Sequence, residues 1–324
     1  MSWVRCIEPT AADVREAAAR FGIADVERLV GDFENLLFRS TRPPGRILRL
    51  THASRRSVEL IEAELEFMTH LAAEEVSVVA PVRSAQGRLV EQLEVDSADP
   101  LLVVCMDEAP GSYQCSAQWP ESQIVDFGGL MGSMHRAAGT FVAPRSRRPL
   151  WSDPMFEVGL AAAEVEDPPI YQRSLELFAA VAAHPAGASD MLIHYDAHMG
   201  NILVSESGGL CLVDFDDCAY GTPTLDVAIA LFHWLFGFDG DLPAEALRFD
   251  SLFLHGYNQN ASLPRDWRDG ADRLMSLWEL KTVWLIETAP PRELSPREER
   301  FMVDRRRRVL EGVPYLGAPL AELL

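Results

Sequence analysis

The stretch HYDAHMGNIL, which begins at His194, brings together side chains whose types and spacing could do chemistry. Asp196 and Asn201 lie close together in it, and a short apolar run follows Asn201. A Gly-Gly turn at residues 208–209 then leads into a second apolar run that ends at Asp214. This pattern predicts a β-hairpin that places Asn201 and Asp214 side by side, with Asp196 on the loop just before it.

These three oxygen-bearing side chains fit one kind of chemistry. Carboxylate and amide oxygens that converge at strand ends bind hard cations such as Mg²⁺. A carboxylate beside the cation can accept a proton from a hydroxyl group. Phosphoryl transfer requires both, because metal ions neutralise the triphosphate and a base orients the nucleophile. An ordinary hairpin with a polar mouth would explain any one residue, but the whole spacing favours a phosphotransferase site.

The first hundred or so residues show mostly strand patterns, with one long helix inserted after the third strand. Thr10 and Asp13 form a capping box that predicts a first helix, with Gly22 as its stop. Apolar residues between positions 58 and 72 recur with helical periodicity and predict a long second helix. Strands are predicted on either side of it: two around Gly31 and Asp32, then RILRLT, VSVVAPV, GRLVEQL and PLLVVCM.

Helical patterns dominate from residue 121 onward. Proline and glycine in the stretch DEAPG, residues 107–111, indicate a hinge. We therefore predict that residues 1–106 form a strand-rich lobe with one long helix. Residues 107–324 would form a larger, mainly helical lobe. The predicted fold class is α+β.

Composition and charge exclude several classes of protein. The 324 residues carry a net charge of −20, and nucleic-acid-binding surfaces need basic patches, so we expect no nucleic-acid partner. The acidic balance is compatible with a cationic substrate, although solubility is the simpler explanation. The longest apolar run, residues 225–238, contains Asp226 and His233 and is too short to cross a bilayer. We therefore expect a buried helix there and no membrane partner.

The five cysteines indicate a reducing compartment. None of them forms a C-x-x-C pair and their number is odd, so we expect small apolar side chains rather than disulfides. The expected location is the cytoplasm. Nothing in these patterns indicates the oligomeric state.

Residues 194–228 resemble the aminoglycoside phosphotransferase and choline kinase family of protein-kinase-like enzymes. The usual motifs of that family are H-G-D-x-H-x-x-N-[IV]-L, then [IV]-D-[FW]-[DE], then D-[LVI]-A. The resemblance implies that Asp196 is the catalytic base and that Asn201 and Asp214 hold Mg²⁺, with Asp216 assisting. It also implies a two-lobed protein-kinase-like fold and ATP as the phosphate donor. Residues 1–106 would then be the nucleotide-binding lobe, with an antiparallel sheet, and residues 107–324 the lobe that carries the catalytic loop and the acceptor site.

The same resemblance gives supporting roles to other residues. His194 and Asp226 would brace the catalytic loop. His198 and His135 are expected to be packing residues rather than a metal ligand or a catalytic group. Tyr195 stands where the family usually has glycine, and this departure is expected to change only the contacts of the loop.

The resemblance extends upstream of the catalytic loop. GDFENLLFR looks like the hairpin that covers the nucleotide, and RILRL lies where protein kinases carry their phosphate-binding lysine, so Arg49 takes that position. Arginine keeps the charge and can bind two phosphate oxygens. Glu64 is at the expected place for its glutamate partner, with a solvated helix face as the alternative. LLVVCMDEAPG looks like the interlobe linker, in which backbone groups near Met106 and Glu108 would bind the adenine edge.

The acceptor is the part of the reaction that the sequence defines least. Residues 47–82 also resemble the bacterial stress-response Ser/Thr kinase and homoserine-kinase-like branch, so a protein acceptor is one alternative. No segment like an activation loop follows Asp214, which favours a hydroxyl group of a small molecule. A catalytically silent nucleotide-binding pseudokinase is the other alternative, and the filled base and metal positions count against it.

Aromatic and charged residues near the C-terminus add little about the acceptor. Three tryptophans could form a cage for a cation, but tryptophans in amphipathic helices more often belong to the core: Trp234, Trp278 and Trp284. Three acidic residues after the buried helix could meet a cationic acceptor: Asp239, Asp241 and Glu245. The four arginines at 305–308 are expected to pair with acidic neighbours.

Overall fold

A computed structural model describes residues 8–29, 35–95, 99–142, 148–153, 160–188 and 191–323. Gly31 and Asp32, which the sequence places between the first two strands, lie outside the described residues. Cys6 lies outside them as well. The described chain begins with a sheet and continues mainly with helices.

An antiparallel sheet occupies the N-terminal part. Its strands are β1 (Asp25–Arg28), β2 (Leu36–Arg42), β3 (Pro44–His52), β4 (Pro81–Val82), β5 (Val90–Leu93) and β6 (Leu101–Asp107). The strand order is β1-β2-β3-β6-β4, and β5 also pairs with β6. Because β3 and β6 are central, Arg49 lies opposite Val104 in the interior of the sheet.

Two helices pack against this sheet. α1 (Ala11–Arg20) begins at the capping box between Thr10 and Asp13, as predicted, and forms a small core with the sheet. α2 (Val58–Ala73) begins at Ser57, whose hydroxyl accepts the backbone N–H of Leu60. The apolar face of α2 belongs to a larger core that continues into the helical part of the chain.

The predicted strand VSVVAPV is wrong over most of its length, because only Pro81–Val82 pairs with β6. Val78 instead forms an isolated parallel bridge to Leu212, which donates its N–H to the carbonyl oxygen of Ser77 at 2.9 Å. Backbone groups need hydrogen-bond partners, and this stretch finds them in the later hairpin rather than in the sheet.

Helices make up most of the rest of the described chain. They are α3 (Glu121–Ala138), α4 (Ala163–Glu166), α5 (Pro168–Ala182), α6 (Pro223–Leu235), α7 (Leu242–Tyr257), α8 (Trp267–Thr288), α9 (Pro296–Met302) and α10 (Arg305–Glu311). Two small antiparallel pairs lie among them: β7 (Met191–Ile193) with β10 (Ala219–Gly221), and β8 (Ile202–Val204) with β9 (Leu210–Leu212).

α3 and α7 cross at very short range. A Cβ atom on Gly128 would lie 1.9 Å from the carbonyl oxygen of Phe253, and one on Gly256 would lie 1.8 Å from that of Val125. No side chain fits such distances, so glycine is required at both positions. The crossing places His135 of α3 beside Tyr257 of α7, whose hydroxyl lies 2.8 Å from His135 Nδ1.

The tryptophans and cysteines mostly behave as predicted. Trp234, Trp278 and Trp284 are all buried in the main core, so they do not form an open cage. Cys105, Cys211 and Cys218 are buried, whereas Cys115 is exposed and does not follow the expectation. Among the described residues, none of the helices combines the length and apolar character needed to span a membrane.

Three of the four arginines at residues 305–308 pair with acidic side chains, as expected, whereas Arg308 donates to the carbonyl oxygen of Pro314. The pairs are Arg305 with Glu279, Arg306 with Asp167 and Glu287, and Arg307 with Asp304 and Glu311. The division of the chain between residues 106 and 107 stays a prediction. The larger core joins α2 to the helical part, so packing alone does not mark that boundary.

Candidate active site

The catalytic loop lies between β7 and β8, and Asp226 in the first turn of α6 holds its beginning. The Asp226 carboxylate accepts the backbone N–H groups of His194 at 2.9 Å and Tyr195 at 2.7 Å. His194 Nε2 lies 2.9 Å from the carbonyl oxygen of Val213, the residue before Asp214. His194 and Asp226 therefore brace the loop, as the resemblance implied.

A buried hydrogen-bond network fixes Asp226 in turn. His135 Nε2 lies 3.0 Å from the Asp226 carboxylate, and His135 Nδ1 lies 2.8 Å from the hydroxyl of Tyr257. All three side chains are buried. His135 thus has the structural role that was predicted, but it acts through hydrogen bonds that connect the α3–α7 crossing to the catalytic loop.

Asp196 is surrounded by hydrogen-bond donors. Asn201 Nδ2 donates to its carboxylate at 2.8 Å and to its carbonyl oxygen at 2.9 Å. His198 Nε2 lies 3.4 Å from the same carboxylate, while His198 Nδ1 accepts the N–H of Gly200. Burial raises the pKa of Asp196, but the hydrogen bond from His198 and the nearby imidazoles lower it to about 2. The side chain is therefore an oriented carboxylate that can accept a hydroxyl proton.

His233 of α6 completes this cluster, and no sequence signal pointed to it. Its ring stacks on that of His198 with centroids 4.4 Å apart. Potential ligand atoms of Asp196, His198 and His233 lie within 4.8 Å of one another. Burial, followed by the effect of His198, lowers the pKa of His233 to about 3, so its ring is neutral. His198 is consequently more than a packing residue, because it contacts the catalytic carboxylate.

The β8–β9 hairpin brings Asn201 and Asp214 together. Val213 donates its N–H to the carbonyl oxygen of Asn201 at 2.9 Å, so Asn201 and Asp214 are close neighbours at the mouth of the hairpin, as predicted. Asp214 has a φ angle of 64° in the left-handed region. A residue other than glycine is rarely found there, and such strain is typical of functional sites.

The charge around Asp214 fits a divalent cation. Within the described part of the chain its carboxylate has no hydrogen-bond or ion-pair partner, although Arg49 acts on it at longer range. Enclosure by the cleft raises the pKa of Asp214 to about 7, with neighbouring carboxylates adding to the effect and Arg49 opposing it. A bound cation would supply the missing positive charge. The side-chain nitrogen Nδ2 of Asn201 donates to Asp196. The side-chain amide oxygen Oδ1 of Asn201 is therefore left as a second ligand of the type that Mg²⁺ prefers.

Arg49 and Glu64 form a forked, buried ion pair. The two terminal nitrogens of Arg49 each donate to one carboxylate oxygen of Glu64, both at 2.8 Å. Burial would lower the pKa of Arg49, but the charges of Glu64, Asp216 and Asp214 raise it above its usual value. Glu64 therefore does not lie on a solvated helix face. A guanidinium has five N–H groups and this pair uses two, so others remain for an anionic ligand.

Two further arginines tie α2 to the segment after Asp214, and sequence reasoning missed both. Arg56 contacts the carboxylates of Asp216 at 3.3 Å and Asp217 at 2.6 Å. Arg148 is buried and donates to the carbonyl oxygens of Leu60, Asp216 and Cys218. Neither arginine belongs to a motif, because each partner lies far away in the sequence. Asp216 therefore positions this segment in addition to any part that it takes in metal binding.

Met106 and Glu108 lie at the end of β6, where the chain passes toward the helical part. Met106 is opposite Ile47 in the sheet. The backbone N–H of Glu108 donates to the carbonyl oxygen of Gly45 at 3.1 Å, and its carboxylate accepts from Arg39 at 2.6 Å. That N–H is thus already used, so an adenine ring at this linker would bind other backbone groups nearby.

A cavity of about 330 Å³ lies beside the catalytic loop. His198 and His233, which lie next to Asp196, form part of its wall. Arg297 of α9 also lines it. The rest of the lining comprises Tyr113, Gln114, Cys115, Met199, Gly200 and Phe236. The acidic residues considered as contacts for a cationic acceptor do not line it, since Asp241 caps α7 and Glu245 bonds to Trp234 and Arg248.

The chain has a small antiparallel sheet with a buried cation–carboxylate pair, followed by a helical part. That part carries Asn201 and Asp214 at the mouth of one hairpin and Asp196 on the loop before it. This combination defines a phosphotransferase of the protein-kinase type. The chain belongs to the phosphotransferase enzyme family APH, whose family model matches residues 25–269. The family resemblance seen in the sequence is therefore confirmed.

Known relatives narrow the class further. The chain is 29% identical over 320 residues to the amicoumacin kinase of Bacillus subtilis (strain 168), an alignment that covers 95% of this chain and 94% of the relative. An amicoumacin kinase solved in complex with AMP-PNP, Ca²⁺ and Ami superposes with a TM-score of 0.86 at 25% identity, and 98% of each chain is covered.

A microcompartment-associated aminopropanol kinase has a TM-score of 0.71 at 18% identity, covering 93% of this chain and 95% of that chain, and it shows the fold alone. Together these findings confirm the predicted α+β, two-lobed kinase-like fold. They also confirm an ATP-dependent phosphotransferase that acts on a small molecule. The alternatives of a protein kinase and of a silent pseudokinase gain no support from them.

Proposed function

We propose that this chain transfers the γ-phosphate of ATP to a hydroxyl group of a small molecule, with Mg²⁺ as the metal. The observation that carries the proposal is the position of Asp196. Its carboxylate is held on one side by Asn201, the neighbour of Asp214 at the hairpin mouth, and on the other by His198, which lines the cavity of about 330 Å³. A base between a nucleotide metal and an open cavity can orient a hydroxyl group toward the γ-phosphate.

The remaining roles follow from charge and position. Arg49, fixed by Glu64, would bind phosphate oxygens of ATP, and Asn201 with Asp214 would hold the metal that neutralises the triphosphate. Backbone groups near Met106 would bind the adenine edge, with residues 1–106 as the nucleotide-binding lobe. The hydroxyl proton would pass to Asp196 as the new phosphate ester forms. The cysteine composition supports a cytoplasmic location for the reaction.

The cavity next to Asp196 would hold the acceptor. Its described lining combines aromatic rings, two imidazoles and Arg297 and contains no carboxylate. Cationic acceptors are usually met by acidic side chains, so this lining favours an uncharged acceptor face with carbonyl or hydroxyl oxygens and a planar apolar part. Because the relatives include amicoumacin kinases, amicoumacin is the first acceptor to test.

The test is transfer of label from γ-labelled ATP. Wild-type protein would be incubated with MgATP and amicoumacin, and in parallel with a small-molecule extract, and the products separated by size. We expect label in a small-molecule product that carries a phosphate ester. Label on extract proteins would support the protein-kinase alternative, and ATP consumption without any labelled acceptor would contradict the proposal. A labelled product from the extract but not from amicoumacin would reject that acceptor alone.

A further inference from the structure

Lysine is almost absent from this chain. Of its 29 basic residues, Lys281 is the only lysine, and all the others are arginines. Arginine even takes the position at which protein kinases carry their phosphate-binding lysine, Arg49. A guanidinium and an ammonium differ in shape, hydration and ease of titration. Lys281 is therefore the only side chain of this protein that can present a compact ammonium group.

Lys281 lies on α8, next to the catalytic loop, and is partly buried. Its ammonium nitrogen is 4.8 Å from the ring centroid of Trp278, over the face of the indole. In the described part of the chain it has no hydrogen-bond or ion-pair partner. An ammonium group has three N–H donors, and leaving them without oxygen partners away from bulk water costs free energy.

The tryptophan that Lys281 contacts, Trp278, packs against the catalytic loop itself. The ring of Trp278 meets that of Tyr195 edge to face, with centroids 5.3 Å apart, and the Tyr195 hydroxyl donates to the carbonyl oxygen of Trp151 at 2.9 Å. Tyr195 has a φ angle of 69°, a region that glycine adopts more easily. Here the protein keeps a tyrosine despite that strain, and the tyrosine directly precedes Asp196.

The charges around Lys281 show that its ammonium interacts with the catalytic carboxylate and with a residue of the cavity wall. Burial lowers the pKa of Lys281, whereas the carboxylates of Asp217 and Asp196 act on it in the opposite direction. Lys281 in turn contributes to the lowered pKa of His233, which lies in the wall of the acceptor cavity. The ammonium is thus within electrostatic reach of the base, whereas Arg49 pairs with Glu64 at the sheet.

We infer that Lys281 binds the phosphoryl group during its transfer, as the acceptor-side cation of the site. The inference rests on the proposed function. In the reaction the bond from the γ-phosphorus to the bridging oxygen of ADP breaks, a bond to the acceptor oxygen forms, and the acceptor proton passes to Asp196. Negative charge is then spread over the three equatorial oxygens. Lys281 donates hydrogen bonds to one of them and stays protonated throughout.

A purely structural lysine would behave differently. If Lys281 served only to balance Asp217 and to cover Trp278, its environment would not depend on what occupies the γ-phosphate position. A phosphoryl-binding lysine responds only when that position is filled by an anion of the right shape. Fluoroaluminate bound together with MgADP mimics the transferred group and requires no knowledge of the acceptor.

Nuclear magnetic resonance tests this directly, because lysine labelled with ¹³C at the ε-carbon gives one side-chain signal from this chain. We expect MgADP alone to leave the signal and its titration midpoint nearly unchanged. Adding fluoroaluminate should shift the signal and raise the midpoint, since a bound anion favours the charged ammonium. An unchanged signal in the fluoroaluminate complex would overturn the inference.

Binding measurements on variants give a second readout. In the wild type, fluoroaluminate should tighten MgADP binding at least about tenfold, as expected for a group that binds the transition state better than the ground state. Lys281→Met should lose this tightening and keep its affinity for MgADP alone. Arg273→Met, two turns earlier on the same helix, is the control and should behave as wild type.

The outcomes distinguish a wrong role for Lys281 from a wrong proposed function. Tightening that survives in Lys281→Met would overturn the role of the lysine and leave the proposed function standing. A wild-type protein that does not bind MgADP at all would overturn the proposed function, and this inference with it. If Lys281→Met fails to fold, the ε-carbon signal of the wild type still decides.

Discussion

The hydrogen bonds that Asp226 accepts lead to a prediction about the substitution Asp226→Asn. The carboxylate is fully buried and accepts hydrogen bonds from three donors. These donors are the backbone N–H groups of His194 and Tyr195 and the Nε2–H of His135. Asparagine keeps one acceptor oxygen and replaces the other by an NH₂ group. In either orientation of the amide, at least one buried donor then faces another donor.

The magnitude follows from these contacts. A buried donor left without an acceptor costs about 1–3 kcal/mol, and hydrogen bonds to a carboxylate are at the strong end of the range. We therefore expect Asp226→Asn to lower the free energy of unfolding by about 2–4 kcal/mol. Turnover at saturating ATP should fall by roughly 10²-fold, because a small displacement of the loop that carries Asp196 has that effect on transfer.

Urea unfolding and steady-state turnover measure the two effects. Asp250→Asn is the matched control, because Asp250 is also a buried carboxylate but pairs with Arg268 on α8 and not with the catalytic loop. The control should lose stability and keep its turnover number under conditions where it is folded. If Asp226→Asn is as stable as wild type within about 0.5 kcal/mol and turns over normally, the account of the loop is wrong.

Three other predictions follow from single contacts. Gly128→Ala should lower the free energy of unfolding by about 3 kcal/mol or more, because its Cβ would lie 1.9 Å from the carbonyl oxygen of Phe253. The control Gly129→Ala, whose Cβ would lie no closer than 3.8 Å to any atom across the crossing, should leave the free energy of unfolding nearly unchanged. Equal effects of the two substitutions would contradict the close crossing of α3 and α7. The pKa of Asp214 is raised to about 7, and a metal ion binds the deprotonated carboxylate. The affinity for Mg²⁺ in the presence of ADP should therefore increase about tenfold per pH unit below pH 7 and level off above it. An affinity that calorimetry finds independent of pH would contradict the metal site. Arg49→Lys should weaken MgATP binding roughly tenfold, because one ammonium cannot replace a forked guanidinium; unchanged affinity by calorimetry would exclude the phosphate role.

The sequence predicts those parts of the site whose residues lie on one local element. Asn201 and Asp214 are joined by a short hairpin, so their spacing alone indicates that they meet. Arg49 and Glu64 are separated by one strand-to-helix connection, and the helical periodicity of α2 determines which side of the helix faces the sheet. Such pairs require no knowledge of how distant helices pack.

Residues that reach the site from distant elements could not be predicted. His233 lies beside Asp196, and Lys281 lies over the tryptophan that contacts Tyr195, only because α6 and α8 pack against the catalytic loop. Each residue stands in a stretch that is typical of any core helix. The bond from the Glu108 N–H to Gly45 likewise depends on a strand pairing that no motif encodes. The valine run at residues 76–79 has strand propensity, but tertiary hydrogen bonds decide its structure.

The most direct test of the account compares wild type with Asp196→Asn in two assays. Asparagine keeps the size of the side chain and the hydrogen bond to Asn201, but it cannot accept the acceptor's proton. The account predicts that MgATP affinity measured by calorimetry stays within about threefold, while transfer of label from γ-labelled ATP to the acceptor falls by 10²-fold or more. Transfer at the wild-type rate by Asp196→Asn would contradict the assignment of Asp196 as the catalytic base.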